Sequence, residues 1–194
     1  MRDDTERHRR ACAGFTDVLR VVAPTQWGLP TPCREWDTRA LLEHVIGFHE
    51  FLLLRPLGVP AQRPKDDPFG RWVATANAIN TVLDAPEVLD GSREYFDGAT
   101  RPPGAVLQAL TTDVVVHTWD LDRAIGTSVH LDPELCQRAW EQASSRADAH
   151  HESGLVAPVV EVPGTASVED RLVGVFGRSP MWQPPAEDSP RPNG

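Results

Sequence analysis

The stretch TTDVVVHTWDLDRAIG, residues 111–126, decides how this chain is read. Its spacing fits one helix, stopped by Gly126. Each helical residue turns about 100°, so Asp113 and His117, four apart, point almost the same way. Val106, Leu110, Val114 and Leu121 continue that face as the apolar stripe a helix buries. An unpaired charge is costly to bury, so these two polar groups need something to meet them.

A second helix carries the same anomaly. TRALLEHVIGFHEFLLL follows Asp37, a suitable N-cap, and ends before Pro56. Leu41, Val45, Phe48 and Leu52 are its stripe, with His44 inside it. His49 lies about 140° round from His44, so the two cannot share one line, and His44 is read as the core-facing histidine. If the two helices are neighbours, His44 meets Asp113 and His117 in the interior. Two imidazoles and a carboxylate converging from facing helices is how bundle cores build metal sites. Three such ligands leave an open position, as catalytic sites do. Zinc suits the set, and nickel, iron or manganese would also be acceptable. On spacing alone a second reading stands: Asp113 and His117 bond each other, and His44 is a satisfied core histidine.

The rest of the chain extends the helical reading. Further helices are expected at about 3–22, from 68 or 71 to 83, from about 103 to 125, over DPELCQRAWEQASSRADAH from Asp132, and around SVEDRLVGVFG. Asp3 or Asp4 is the expected cap of the first. Proline- and glycine-rich connections cover residues 55–70 and 85–103. LVAPVVEVPGTAS is short and β-branched, and the proline-rich tail 183–194 is expected to be disordered. With no alternating strand pattern and no repeat, the expectation is an all-α helix bundle, a single domain over residues 1–182.

Composition removes several classes. With 194 residues, 40% hydrophobic and 24% charged, the chain suits one globular domain. A net charge of −9 leaves no electrostatic footprint for nucleic acid or an anionic membrane. The longest apolar runs, such as FLLL at 51–54, are far too short to span a bilayer, and the start lacks a signal peptide's apolar block, so the cytoplasm is expected. Cys12, Cys33 and Cys136 are odd in number and widely spaced, which argues against disulfides and a cysteine-built zinc site and reads as small buried or half-buried thiols.

WGLPTPCREWDTRALLEHVIG, TTDVVVHTWDLDRAIG and DRLVGVFGRSPMW together resemble the marker segments of a bacterial family. It comprises the single-domain metal-binding relatives of mycothiol-dependent maleylpyruvate isomerase, within the DinB/YfiT-like superfamily. The likeness runs from about residue 8 to Trp182. It implies a DinB-like four-helix up-down-down-up bundle, here with an extra C-terminal helix and long loops. It implies a divalent metal, usually zinc or nickel, held by His44, Asp113 and His117. It also implies a low-molecular-weight thiol, mycothiol, brought to a small electrophile by an S-transferase or isomerase. Two departures point away from maleylpyruvate isomerase activity itself. Asp113 stands where the isomerase has the longer glutamate, and the chain is too short for that enzyme's second, C-terminal domain.

Two alternatives accompany this reading. A metal-bound hydroxide, or iron with its two histidines and one carboxylate, would give a hydrolase or an oxygenase without a thiol. A stress-type binding module would have no turnover. Asp120, about 60° round from His117, either orients that histidine from behind or pairs with Arg123 or Arg39 on the bundle surface. Trp27, Trp36 and Trp182 are read as packing residues, the histidines at 150 and 151 as an exposed helix end, and the EDR of 169–171 as a cap or staple of the last helix. The chain could also pair with a second copy through a helix face.

Overall fold

The computed structural model describes residues 2–34, 36–62, 64, 66–145 and 156–185. Its helices are α1 (Arg2–Arg20), α2 (Thr38–His49), α3 (Pro68–Leu83), the short α4 (Pro86–Asp90), α5 (Leu107–Ile125), α6 (Pro133–Ser144) and α7 (Val168–Val175). The fold is all-α and DinB-like. The connection expected to be irregular after residue 85 contains α4 and a minimal antiparallel hairpin, Arg93–Glu94 against Thr100–Arg101. The histidines at 150 and 151, the end of the expected fifth helix and the tail from 186 onward lie outside the described residues.

The helix starts follow their caps. Asp37 accepts from the Ala40 amide at 2.8 Å, and Asp132 accepts from Glu134 and Leu135, with Pro133 in the first helical position. Asp67 caps α3 and Ser167 caps α7. In α1, Asp3 and Asp4 instead sit inside the first turn, where acidic side chains face the helix dipole.

Four helices close a ring in which α5 packs on α1 and α2, and α3 completes it against the same two. α6 lies on the outside of α5 and carries α7. α5 is therefore covered all round, and from Val114 to Asp122 every residue is buried. Phe15, Val18 and Leu19 of α1, Leu41, Leu42, Val45 and Ile46 of α2, and Trp72 of α3 fill the main core. A second apolar cluster, with Leu53, Leu54, Ile79, Leu89, Leu107 and Leu110, closes one end.

Two details of α2 differ from the sequence reading. The helix does not run unbroken to Leu54. After His49 it widens into a π turn, Glu50–Leu54, then tightens into a 3-10 turn that ends at Gly58, in the left-handed conformation at φ 70°. The wider turn lets the consecutive Leu53 and Leu54 both enter the end cluster. More important, His49 is fully buried, whereas 29% of the His44 side chain is exposed. A helix inside a four-membered ring buries more than one stripe. His49 faces His8 and Trp72, and His44 faces α5 near the rim.

Candidate metal centre

The packing of α2 on α5 brings His44 to Asp113 and His117. His44 Nε2 lies 3.2 Å from Asp113 Oδ1, and His117 Nε2 lies 3.4 Å from the same oxygen. One ligand atom from each of the three residues falls within 4.8 Å of the others, a separation that one cation can bridge. The other carboxylate oxygen, Asp113 Oδ2, is buried with no hydrogen-bond partner. A buried carboxylate oxygen without a partner is costly, and a cation would satisfy it. The donor set of two imidazoles and one carboxylate suits zinc, nickel or iron.

Electrostatics bind the cluster together. Burial raises the Asp113 pKa, but the adjacent His117 and His44 outweigh it and hold the carboxyl below the usual range. Burial likewise lowers the His117 pKa, and Asp113, then Asp120, overcome it and raise the imidazole to about 9. Without a metal, His117 thus carries a proton at neutral pH.

His117 is held from behind. Its Nδ1–H donates to Asp120 Oδ2 at 2.9 Å, which directs Nε2 towards Asp113. Asp120 is fully buried and also receives the Arg178 guanidinium, through Nη2 at 2.8 Å and Nε at 3.2 Å. The surface pairing of Asp120 with Arg123 or Arg39 is therefore not formed. Arg123 instead reaches Glu169 and stacks over Trp119, and Arg39 lies over Trp27. Arg178 follows Gly177, whose φ of 77° turns the chain after α7 back onto α5.

Trp36 lies over the cluster, its ring 4.2 Å from that of His44 and 5.4 Å from that of His117. Phe48, one helical turn on from His44, stacks with its ring at 5.6 Å. Trp36 packs against the main core as expected and in addition lies beside the two imidazoles, leaving His44 partly exposed. Trp27 and Trp182 stay in the packing role, against the main core.

The structure brings together the three residues expected to meet and puts Asp120 behind one of them. Sequence reasoning missed Arg178 and the position of Trp36. Both lie in the quoted marker segments, so their signal was present without a geometry to interpret it.

Residues 8–122 match the family model described as the mycothiol maleylpyruvate isomerase N-terminal domain. Two proteins from strains of Mycobacterium tuberculosis, described as uncharacterized proteins MT0763 and Rv0738, are each 34% identical over 189 residues, covering 95% of this chain and 93% of theirs. The crystal structure of a histidine-to-alanine mutant of mycothiol-dependent maleylpyruvate isomerase superimposes with a TM-score of 0.56 at 12% identity, covering 85% of this chain and 77% of that one. At that identity the likeness speaks for the fold.

Proposed function

Because this chain belongs to the family of the mycothiol maleylpyruvate isomerase N-terminal domain, we propose that it activates a low-molecular-weight thiol, mycothiol, at a divalent metal and presents it to a small electrophile as an S-transferase or isomerase. The observation that carries the metal is the orphaned Asp113 Oδ2, buried beside the converging imidazoles of His44 and His117. When bound, the cation supplies Lewis acidity that keeps a thiol as thiolate near neutral pH, where a free thiol of pKa ~8.5 is mostly protonated.

The chain's own groups do the rest. Asp113 would supply the negative charge and His44 a nitrogen ligand, and His117 would supply a second nitrogen once it has given up its proton. Asp120, itself neutralised by Arg178, keeps the His117 ring from rotating. Trp36 and Phe48 wall the site with aromatic carbon, which limits water around a sulfur nucleophile. Access is from the His44 side, the most exposed of the three residues.

The test uses purified full-length protein loaded with zinc or nickel, supplied with mycothiol and a panel of activated alkenes, epoxides and aryl halides. Thiol consumption that requires both the metal and the protein supports the reading. No metal-dependent rate across the panel overturns it, and metal-dependent turnover without thiol identifies the hydrolytic alternative. Elemental analysis addresses the oxygenase alternative, because iron as the sole tightly bound metal would favour oxygen chemistry. No helix among the described residues is long and apolar enough to cross a membrane.

A further inference from the structure

A second knot of polar side chains lies inside the core, where α1 meets α2. His8 and His49 are fully buried, and Cys12 is 5% exposed. Cys12 is one helical turn on from His8, so the two share a face of α1. His8 Nε2 lies 3.2 Å from His49 Nε2 and 3.6 Å from Cys12 Sγ. One ligand atom from each residue falls within 4.8 Å of the others.

The outward nitrogens of both rings are engaged elsewhere. His49 Nδ1 lies 2.6 Å from the Val45 carbonyl. A carbonyl only accepts, so that nitrogen carries the ring proton. The Thr111 hydroxyl lies 2.7 Å from the Leu107 carbonyl, to which it can donate, and 3.0 Å from His8 Nδ1, whose N–H it can then accept. Burial lowers the pKa of both imidazoles. With both rings protonated on Nδ1, the two Nε2 lone pairs face each other, and the single hydrogen of Cys12 can bridge to only one of them. This arrangement favours an electropositive centre between the three residues.

We propose that His8, Cys12 and His49 form a second, buried metal site for a soft d10 cation, zinc(II) or copper(I). A tetrahedral ion with metal–nitrogen bonds of about 2.05 Å and a metal–sulfur bond of about 2.3 Å separates its nitrogens by about 3.3 Å and nitrogen from sulfur by about 3.6 Å. The observed 3.2 and 3.6 Å match those separations. Thiolate with imidazole is the ligand set that soft cations select. The outward contacts to Val45 and Thr111 are those metal-bound histidines make with their second nitrogen. On binding, the Cys12 S–H bond breaks, a sulfur–metal bond forms and the proton goes to solvent. The ligands come from α1 and α2, which face each other across the core, so the ion's role is to staple these two helices.

The test is metal loading of the metal-free, full-length chain with cobalt(II), as an optical substitute for zinc, and separately with copper(I). Wild type is expected to bind two cobalt ions per chain, with near-ultraviolet thiolate-to-metal charge-transfer absorption that the His44–Asp113–His117 site, having no sulfur, cannot give. The triple variant His44→Ala, Asp113→Ala, His117→Ala is expected to keep one ion and the full band. Cys12→Ser is expected to keep one ion and lose the band, and Cys33→Ser to change neither. A band with copper(I) that zinc cannot displace assigns the site to copper, and the reverse assigns it to zinc. One ion per chain in wild type with no thiolate band for either metal overturns the proposal. That result is read on wild type alone, so it stands even if Cys12→Ser does not fold.

Discussion

Asp120 and Arg178, 58 positions apart in the chain, form an ion pair sealed inside the fold, with Arg178 Nη2 2.8 Å from Asp120 Oδ2. The same oxygen accepts from His117 Nδ1 at 2.9 Å. One carboxylate therefore neutralises a buried guanidinium and fixes the tautomer of a candidate metal ligand. Asp120→Asn keeps the shape and removes the charge. Leaving Arg178 buried without its counterion is expected to cost about 3–5 kcal/mol, read by chemical denaturation. In the variant that still folds at low temperature, zinc affinity at His117 is expected to fall about 10- to 100-fold in a chelator competition. Unchanged affinity would show that His117 needs no support from behind.

The pH dependence of the metal-free protein follows from His117. Its pKa is raised from 6.5 to about 9 in the folded state. A raised pKa means that folding favours the protonated ring, so this stabilisation is complete below about 6.5 and disappears as pH rises through about 9. Thermal unfolding of chelator-treated protein should therefore fall across that window, and His117→Gln should flatten the decline. In the Cys12→Ser background, zinc uptake at pH 7.5 is expected to release about one proton per chain, read with a pH indicator.

Asp113→Asn separates charge from shape at the centre of the cluster. The variant is expected to lose tightly bound metal at this site and, with it, any metal-dependent thiol transfer. Because Asp113 contributes most to raising the His117 pKa, that pKa is expected to drop well below 9, measured by histidine proton NMR titration. Retention of metal at wild-type affinity would refute the assigned role of the carboxylate.

Gly177 is a position where a methyl group has no room. At φ 77° an added Cβ would come within 2.6 Å of the Ala157 Cβ and 2.9 Å of its backbone carbonyl. Gly177→Ala is expected to destabilise the protein by about 1–3 kcal/mol through the strained backbone alone. It should also weaken zinc binding, since the next residue is Arg178. Loss of stability with no change in affinity would mean that the guanidinium keeps its place independently of this turn.

Much of the site was legible because its signals are local. Asp113 and His117 share one helix face, His44 interrupts an apolar stripe, and Asp37 and Asp132 mark helix starts by residue type alone. What the sequence withheld depends on partners far along the chain. The helical wheel of α2 assigned one buried stripe and so put His49 outside the core. The ring gives that helix contacts on two sides, and His49 is buried against α1 and α3. Asp120 was read with nearby arginines because the one that pairs with it comes 58 residues later and has no periodic relation to it. The π turn after His49 carries no composition signal, since EFLLL suits an ordinary helix equally well.

The matched family domain ends at residue 122, yet the buried counterion of Asp120 arrives from residue 178. The three candidate ligands thus lie within the matched segment, and the partner that neutralises Asp120 lies beyond it. Grafting a different C-terminal segment onto the same bundle would retune the basicity of His117 without altering a single ligand. A change at Arg178 would thus alter the metal centre while every ligand residue stays the same.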